Sequence, residues 1–220
     1  MKKTNRVFAL LLAAIMLFAF TACTSNDISP VEKQSHPSDT AADITVPTDG
    51  NVLIAYFSVE ENQEGGGESD LAAGGDLNVI AQMIQTNIGG DLFAIHTEES
   101  YPADDEALQI REAEEKDAGA RPALTDSIEN LDQYDVVFVG FPIWVSDMPM
   151  AMYSFFDTYD FAGKTIVPFS MFTSDEPDIA ALIQSLEPDA SVVANAFSIR
   201  YTKIAEGGVL VNDWLKELGY

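Results

Sequence analysis

Asp135-Val136-Val137-Phe138-Val139-Gly140-Phe141 carries no polar side chain after its first residue, and Pro142-Ile143-Trp144-Val145-Ser146-Asp147 follows it. A short apolar run rich in β-branched and aromatic residues, without polar alternation, reads as a strand covered on both faces. Val52-Leu53-Ile54-Ala55-Tyr56-Phe57 reads the same way and ends at Ser58. Between and beyond them the period changes. Leu77 to Ile88 places apolar residues at helical spacing, and Gly89-Gly90 supplies a stop. Asp91 to Ile95 returns to a strand, Glu106 to Asp117 reads as an acidic exposed helix, and Met148 to Tyr159 as a helix with Pro149 in its first turn. Lys164 to Phe169 is the next strand, Ile179 to Leu186 a helix, Ser191 to Ala196 a strand, and Val209 to Leu218 a closing amphipathic helix. Strand and helix alternate about five times, which argues for an α/β doubly wound parallel sheet of five strands with helices on both faces. Ligands of such sheets lie outside the carboxyl ends of the strands, so the loops after Phe57, Phe141 and Phe169 are the ones that matter.

Composition narrows the function. The 220 residues carry 11 Lys+Arg against 36 Asp+Glu, a formal charge of −25. A nucleic-acid backbone needs a cationic face, so no nucleic-acid partner is expected. Hydrophobic residues make up 47% and aromatic residues 10% of the chain, a core-forming composition. His36 and His96 are the only histidines and Cys23 the only cysteine, so no metal site and no intramolecular disulfide are expected. No Gly-x-Ser-x-Gly elbow, nucleotide-triphosphate loop or calcium loop is present, and no catalytic side chain is assigned. The carboxylate pairs Glu98-Glu99, Asp104-Asp105 and Glu114-Glu115 read as solvated surface in so acidic a chain.

The amino terminus reads as an address. Lys2, Lys3 and Arg6 precede an apolar run from Val7 to Phe20, too short for a comfortable membrane span. The segment Phe20-Thr21-Ala22-Cys23 resembles the lipobox of bacterial lipoproteins, with Phe20 where Leu is usual. The expectation is a signal peptide over 1–22, lipidation at Cys23 and a flexible tether rich in Ser, Thr, Asp and Pro over 23–50. A folded domain would then occupy 51–220. The alternative is a simple signal peptide with an incidental cysteine. Cleavage would remove three basic residues, leaving 8 against 36 acids and a charge of −28.

Ile54 to Ser58, Asp135 to Met150 and Tyr159 to Phe169 together resemble the flavodoxin-like family, in its branch with a long insertion in the phosphate loop. Tyr101-Pro102-Ala103-Asp104 and Ala120-Arg121-Pro122 resemble segments of that branch. The resemblance implies strand order 2-1-3-4-5, noncovalent FMN and electron transfer. It places the phosphate loop from Ser58 to Gly75-Asp76-Leu77. Where relatives carry Gly-Asn-Thr, Leu77 lacks a hydroxyl. Asp76 sets a carboxylate where a phosphate would sit, either as a helix N-cap or as an occupant of the anion site. Pro142, Ile143, Trp144 and Val145 match the segment beside the flavin ring. Trp144 either offers its face to the ring or packs under the next helix. Ser146 stands where a glycine would allow the backbone a positive φ. Ser170, Met171 and Phe172 belong to the third loop, and Met171 and Phe172 either cover a ring or fill its place. The implied protein is an extracytoplasmic, lipid-anchored FMN protein, touching the membrane through its anchor only. Its partner would be a redox protein or a small-molecule electron acceptor. The alternative is a flavodoxin fold that has lost FMN and serves as a binding or interaction module.

Overall fold

A computed structural model describes residues 44–62, 77–174 and 177–220. Its elements, in chain order, are β1 (Val52–Tyr56), α1 (Leu77–Ile88), β2 (Asp91–Ala94), α2 (Asp105–Ala118), β3 (Val136–Pro142), α3 (Met150–Thr158), β4 (Thr165–Phe172), α4 (Ile179–Leu186), β5 (Ser191–Val192), β6 (Phe197–Arg200) and α5 (Gly207–Glu217). All strand pairings are parallel, in the order β2-β1-β3-β4-β5, with β6 also on β4. The order reverses between β1 and β3, which makes the carboxyl ends of these two neighbours the switch point of the sheet.

The two faces follow from strand alternation. Leu53, Ala55, Val137 and Val139 face a core completed by Ala151, Met152 and Phe155 of α3 and by Ile179 and Ile183 of α4. Val52, Ile54, Val136 and Phe138 face the other core, completed by Ile80, Ala81 and Ile84 of α1 and by Val211, Trp214 and Leu215 of α5. Because β1, β3 and β4 are buried on both sides, they read as unbroken apolar runs rather than alternating ones. At Gly140 the sheet admits no side chain: a Cβ there would lie 2.1 Å from the Phe169 ring.

Three elements differ from expectation. β4 does not end at Phe169 but continues through Ser170, Met171 and Phe172, because those residues have partners on both sides. Phe141 and Pro142 of β3 pair with Ser170 and Met171, and Ser198, Ile199 and Arg200 of β6 pair with Ser170, Met171 and Phe172. The fifth strand is split into β5 and β6. Between the pairs Ile166–Val192 and Phe169–Phe197, β4 advances three residues while the outer chain advances five. The two extra residues bulge out, held by the Trp214 indole, which donates to the Asn195 carbonyl at 2.9 Å. Finally, the compact part starts before Asn51. Val46 is buried in the α1/α5 core and Ile44 packs on it.

Candidate functional site

The carboxyl ends of β2, β1 and β3 lie side by side, and each is followed by an aromatic residue of one cluster. Phe57 follows β1, Tyr101 lies in the loop after β2, and Trp144 follows β3. Their rings meet edge to face: Phe57–Trp144 at 5.5 Å, Tyr101–Trp144 at 5.2 Å and Phe57–Tyr101 at 5.7 Å between centroids. Edge-to-face geometry sets positive ring edges against negative faces. Trp144 is 9% exposed, so most of the indole is spent on this wall.

The chain then turns tightly. Trp144 and Asp147 exchange backbone hydrogen bonds at 2.9 and 2.8 Å, closing a two-residue hairpin. Its central residues, Val145 and Ser146, have φ of 48° and 58°. Both lie in the left-handed region, which asparagine or glycine would occupy at lower cost. Val145 is half exposed. The turn is clamped from outside: Lys116 of α2 donates to the Val145 carbonyl at 2.6 Å and pairs with Asp147 at 3.3 Å. Asp147 also accepts from its neighbour's amide at Met148 and from the Tyr153 hydroxyl. That phenol is pushed up to about 12 by burial and by the Asp147 carboxylate.

Beyond β1 the chain is organised by Asn62, which is buried in the loop. Its amide nitrogen donates to the carbonyls of Ser58 and Ile95, and its amide oxygen accepts from the Thr97 backbone. Its own carbonyl accepts from the Tyr101 amide. One side chain therefore ties the β1 loop to the β2 loop. Glu61 beside it receives a hydrogen bond of 2.6 Å from Asn78, in the first turn of α1, and a longer one from the Tyr56 hydroxyl. His96 lies 4.0 Å from the same carboxylate and 2.9 Å from Asp126.

The residues singled out in the sequence fall as follows. Ser58 is buried, and Leu77 begins α1 inside the α1/α5 core. Gly75 and Asp76, and Cys23 with the leader and most of the tether, lie outside the described residues. Pro142 closes β3, and the Ile143 amide donates to the Met171 carbonyl at 2.8 Å. Ser170 shares a hydrogen bond with Ser198, Met171 lies in the α1/α5 core, and Arg200 stands over the Phe172 ring at 4.9 Å. The structure thus gathers Ser58, Pro142, Ile143, Trp144 and Val145 at the switch point. Tyr101, Asn62, Glu61 and Lys116 join them without having been singled out as site residues. The reading of α2 as an acidic exposed helix did not find them; the available signal was the i,i+4 pair Arg111 and Glu115. Among the described residues no cluster of His, Cys, Asp and Glu could hold a metal ion.

The sequence profile of the flavodoxin family matches residues 51–196. The chain belongs to the flavodoxin family. A comparison with curated proteins finds no match to this flavodoxin. Among solved structures, a candidate flavoprotein from Bacteroides eggerthii is 24% identical, with a TM-score of 0.61, over 78% of this chain and 99% of that one. One from Bacteroides uniformis is 23% identical, with a TM-score of 0.56, over 76% and 98%. A flavoprotein from Lactobacillus acidophilus, solved in complex with FMN, is 14% identical, with a TM-score of 0.53, over 71% and 97%. At these identities the structures show a shared flavodoxin fold.

Proposed function

We propose that this flavodoxin binds FMN at the switch point and carries electrons outside the cytoplasm, anchored through a lipid on Cys23. The observation that carries the reading is the turn after β3. Two non-glycine residues sit in left-handed backbone there, and strain of this kind persists where a ligand clamp is built. Family membership and the FMN complex of the Lactobacillus acidophilus protein support it.

The residues fit a flavin at the ring end. Val145 offers an apolar, half-exposed contact, Trp144 backs it, and the central amides of the turn are not used by its hairpin bonds. The phosphate end, from Ser58 to Gly75, Asp76 and Leu77, is less suited. Glu61 brings a carboxylate to the start of α1, where it opposes a phosphate dianion. FMN, when bound, supplies the electron-accepting ring; the protein orients it and keeps one face from water. Electrons would come from and pass to a redox protein or a small molecule.

The test is a titration of the full-length protein with FMN and with riboflavin, followed by flavin fluorescence. FMN should bind with a Kd of about 1 μM or tighter. Glu61→Gln should tighten FMN and leave riboflavin, which lacks the phosphate, unchanged. The Glu61 carboxylate favours a second reading, a binding module without FMN. Absence of quenching by either flavin would defeat the first reading and leave the second standing. Labelling with radioactive palmitate, lost in Cys23→Ala, tests the anchor.

A further inference from the structure

Tyr101 is the largest side chain in the fold with no exposed surface, and it lies between the site wall and α2. On one side its ring touches Trp144 at 5.2 Å. On the other its hydroxyl donates to Glu115 Oε2 at 3.0 Å. Arg111 stands over the same ring at 4.1 Å, donates to Glu115 Oε1 at 2.9 Å and is held by the Ser100 carbonyl at 2.7 Å. A buried phenol needs an acceptor, and a backbone carbonyl would satisfy it. Here the acceptor is instead a base, aligned with the phenol of a ring in contact with the indole at the site wall.

We infer that Trp144, Tyr101 and Glu115 form a proton-coupled electron relay that delivers one electron to a strong one-electron oxidant seated at the switch point. The inference takes its natural oxidant, a photoexcited isoalloxazine, from the proposed FMN site. The first step moves one electron from the Trp144 indole to the oxidant, leaving an indole radical cation. The second moves one electron from Tyr101 to that cation, restoring Trp144. An oxidised phenol is a strong acid, so its proton crosses the 3.0 Å hydrogen bond to Glu115 Oε2 as the electron leaves. The balance is one electron gained by the oxidant, a neutral tyrosyl radical at Tyr101 and a protonated Glu115. Neither ring keeps a charge; the positive charge left over is that of Arg111, which retains Glu99 at 3.6 Å as its counter-ion.

The surroundings suit each step. Phe57, the third ring, is too hard to oxidise to divert the electron, and burial keeps Tyr101 from solvent reductants. Glu112, one turn earlier on α2, is pushed up to about 7 by burial and then by the Glu115 charge. Arg111 keeps its bond to the Ser100 carbonyl when Glu115 is neutralised, so the ring is not released.

The experiment needs no flavin. Full-length protein is flashed with tris(bipyridyl)ruthenium(II) and a sacrificial cobalt(III) acceptor, and radicals are followed by transient absorption and electron paramagnetic resonance. Wild type should show an indole radical that decays into a tyrosyl radical, with a solvent deuterium isotope effect. Tyr101→Phe should lose the long-lived tyrosyl signal and prolong the indole radical. Trp144→Phe should lose the same tyrosyl signal, because the buried ring is then cut off from the oxidant. Glu115→Gln, which keeps a hydrogen-bond acceptor, should slow tyrosyl formation by about 100-fold, the scale of a positioned base, and abolish the isotope effect. Equal tyrosyl yields in wild type and either aromatic variant, or an unchanged rate in Glu115→Gln, would overturn the relay. If an aromatic variant does not fold, Glu115→Gln decides alone. Flavin titration decides the FMN reading separately.

Discussion

Val145 is the residue at which local preference and native conformation conflict most. Its φ of 48° is costly for any side chain with a Cβ, and a β-branched one has least room there. Val145→Gly should therefore raise stability by about 1 kcal/mol, the left-handed cost less the entropy that glycine adds to the unfolded chain. Urea unfolding should show a higher midpoint with an unchanged slope, and a lower midpoint would show the turn to be unstrained. If the turn is a flavin clamp, the same variant should bind FMN less tightly, since a preorganised backbone and an apolar contact are both lost. Gly140 presents the opposite case. Nothing about its backbone requires glycine, but a methyl group would enter the Phe169 ring. Gly140→Ala should cost about 1–3 kcal/mol by overpacking, measured in the same way. Neither constraint could be read from the sequence, because each depends on a neighbour placed by the fold.

At the scale of elements, the sequence was legible where a helix or strand carries its own signal. The helix bounds Leu77–Ile88 and Ile179–Leu186 match the apolar period to the residue, since both helices bury a continuous face. β1 and β3 were legible because burial on both faces leaves an unbroken apolar run. Legibility failed where a partner decides. Ser170 looks like a loop residue until β3 and β6 flank it, and the break after Val192 depends on the Trp214 indole holding the Asn195 carbonyl. The site was half legible. Trp144 and its turn follow a recognisable strand, whereas Tyr101 and Glu115 meet only through the tertiary fold. α2 was read from its acidic face and contributes no buried residue, yet it bears on the site through Arg111, Glu115 and Lys116. Its acid–base balance should be measurable. Glu112, on α2, and Glu187, just past α4, both have carboxyls pushed up to about 7, by burial first and then by neighbouring carboxylates. Between the unfolded value near 4.5 and about 7 the native state binds the extra protons, so stability falls as pH rises through that window and levels off above it. Glu112→Gln and Glu187→Gln should each flatten this slope and stabilise the protein at pH 8. An unchanged slope in both would show these carboxyls to be ordinary.

The whole molecule is governed by its charge. With 36 acids against 11 bases, the folded state holds at close range repulsions that the extended chain relaxes. Among the described residues five cations are committed to nearby carboxylates, Arg111 to Glu115, Lys116 to Asp147, Arg121 to Asp157, Lys203 to Glu206 and Lys216 to Asp213, while Lys164 and Arg200 donate to backbone carbonyls. The exposed pairs among them, Arg121–Asp157, Lys203–Glu206 and Lys216–Asp213, contribute little each, so they do not offset the long-range term. Added salt screens that repulsion over about 10 Å at 0.1 M while barely touching the buried aromatic wall. Sodium chloride from about 10 to 200 mM should therefore raise the melting temperature, whereas salt-bridge-dominated stability would make it fall. The same field acts on ligands. Binding of anionic FMN should tighten with salt as its repulsion is screened, while binding of neutral riboflavin should change little. The difference between the two salt slopes measures the electrostatic opposition at the phosphate end, and in Glu61→Gln the slopes should converge. Parallel slopes in the wild type would show that the acidic surface, Glu61 included, does not reach the bound phosphate.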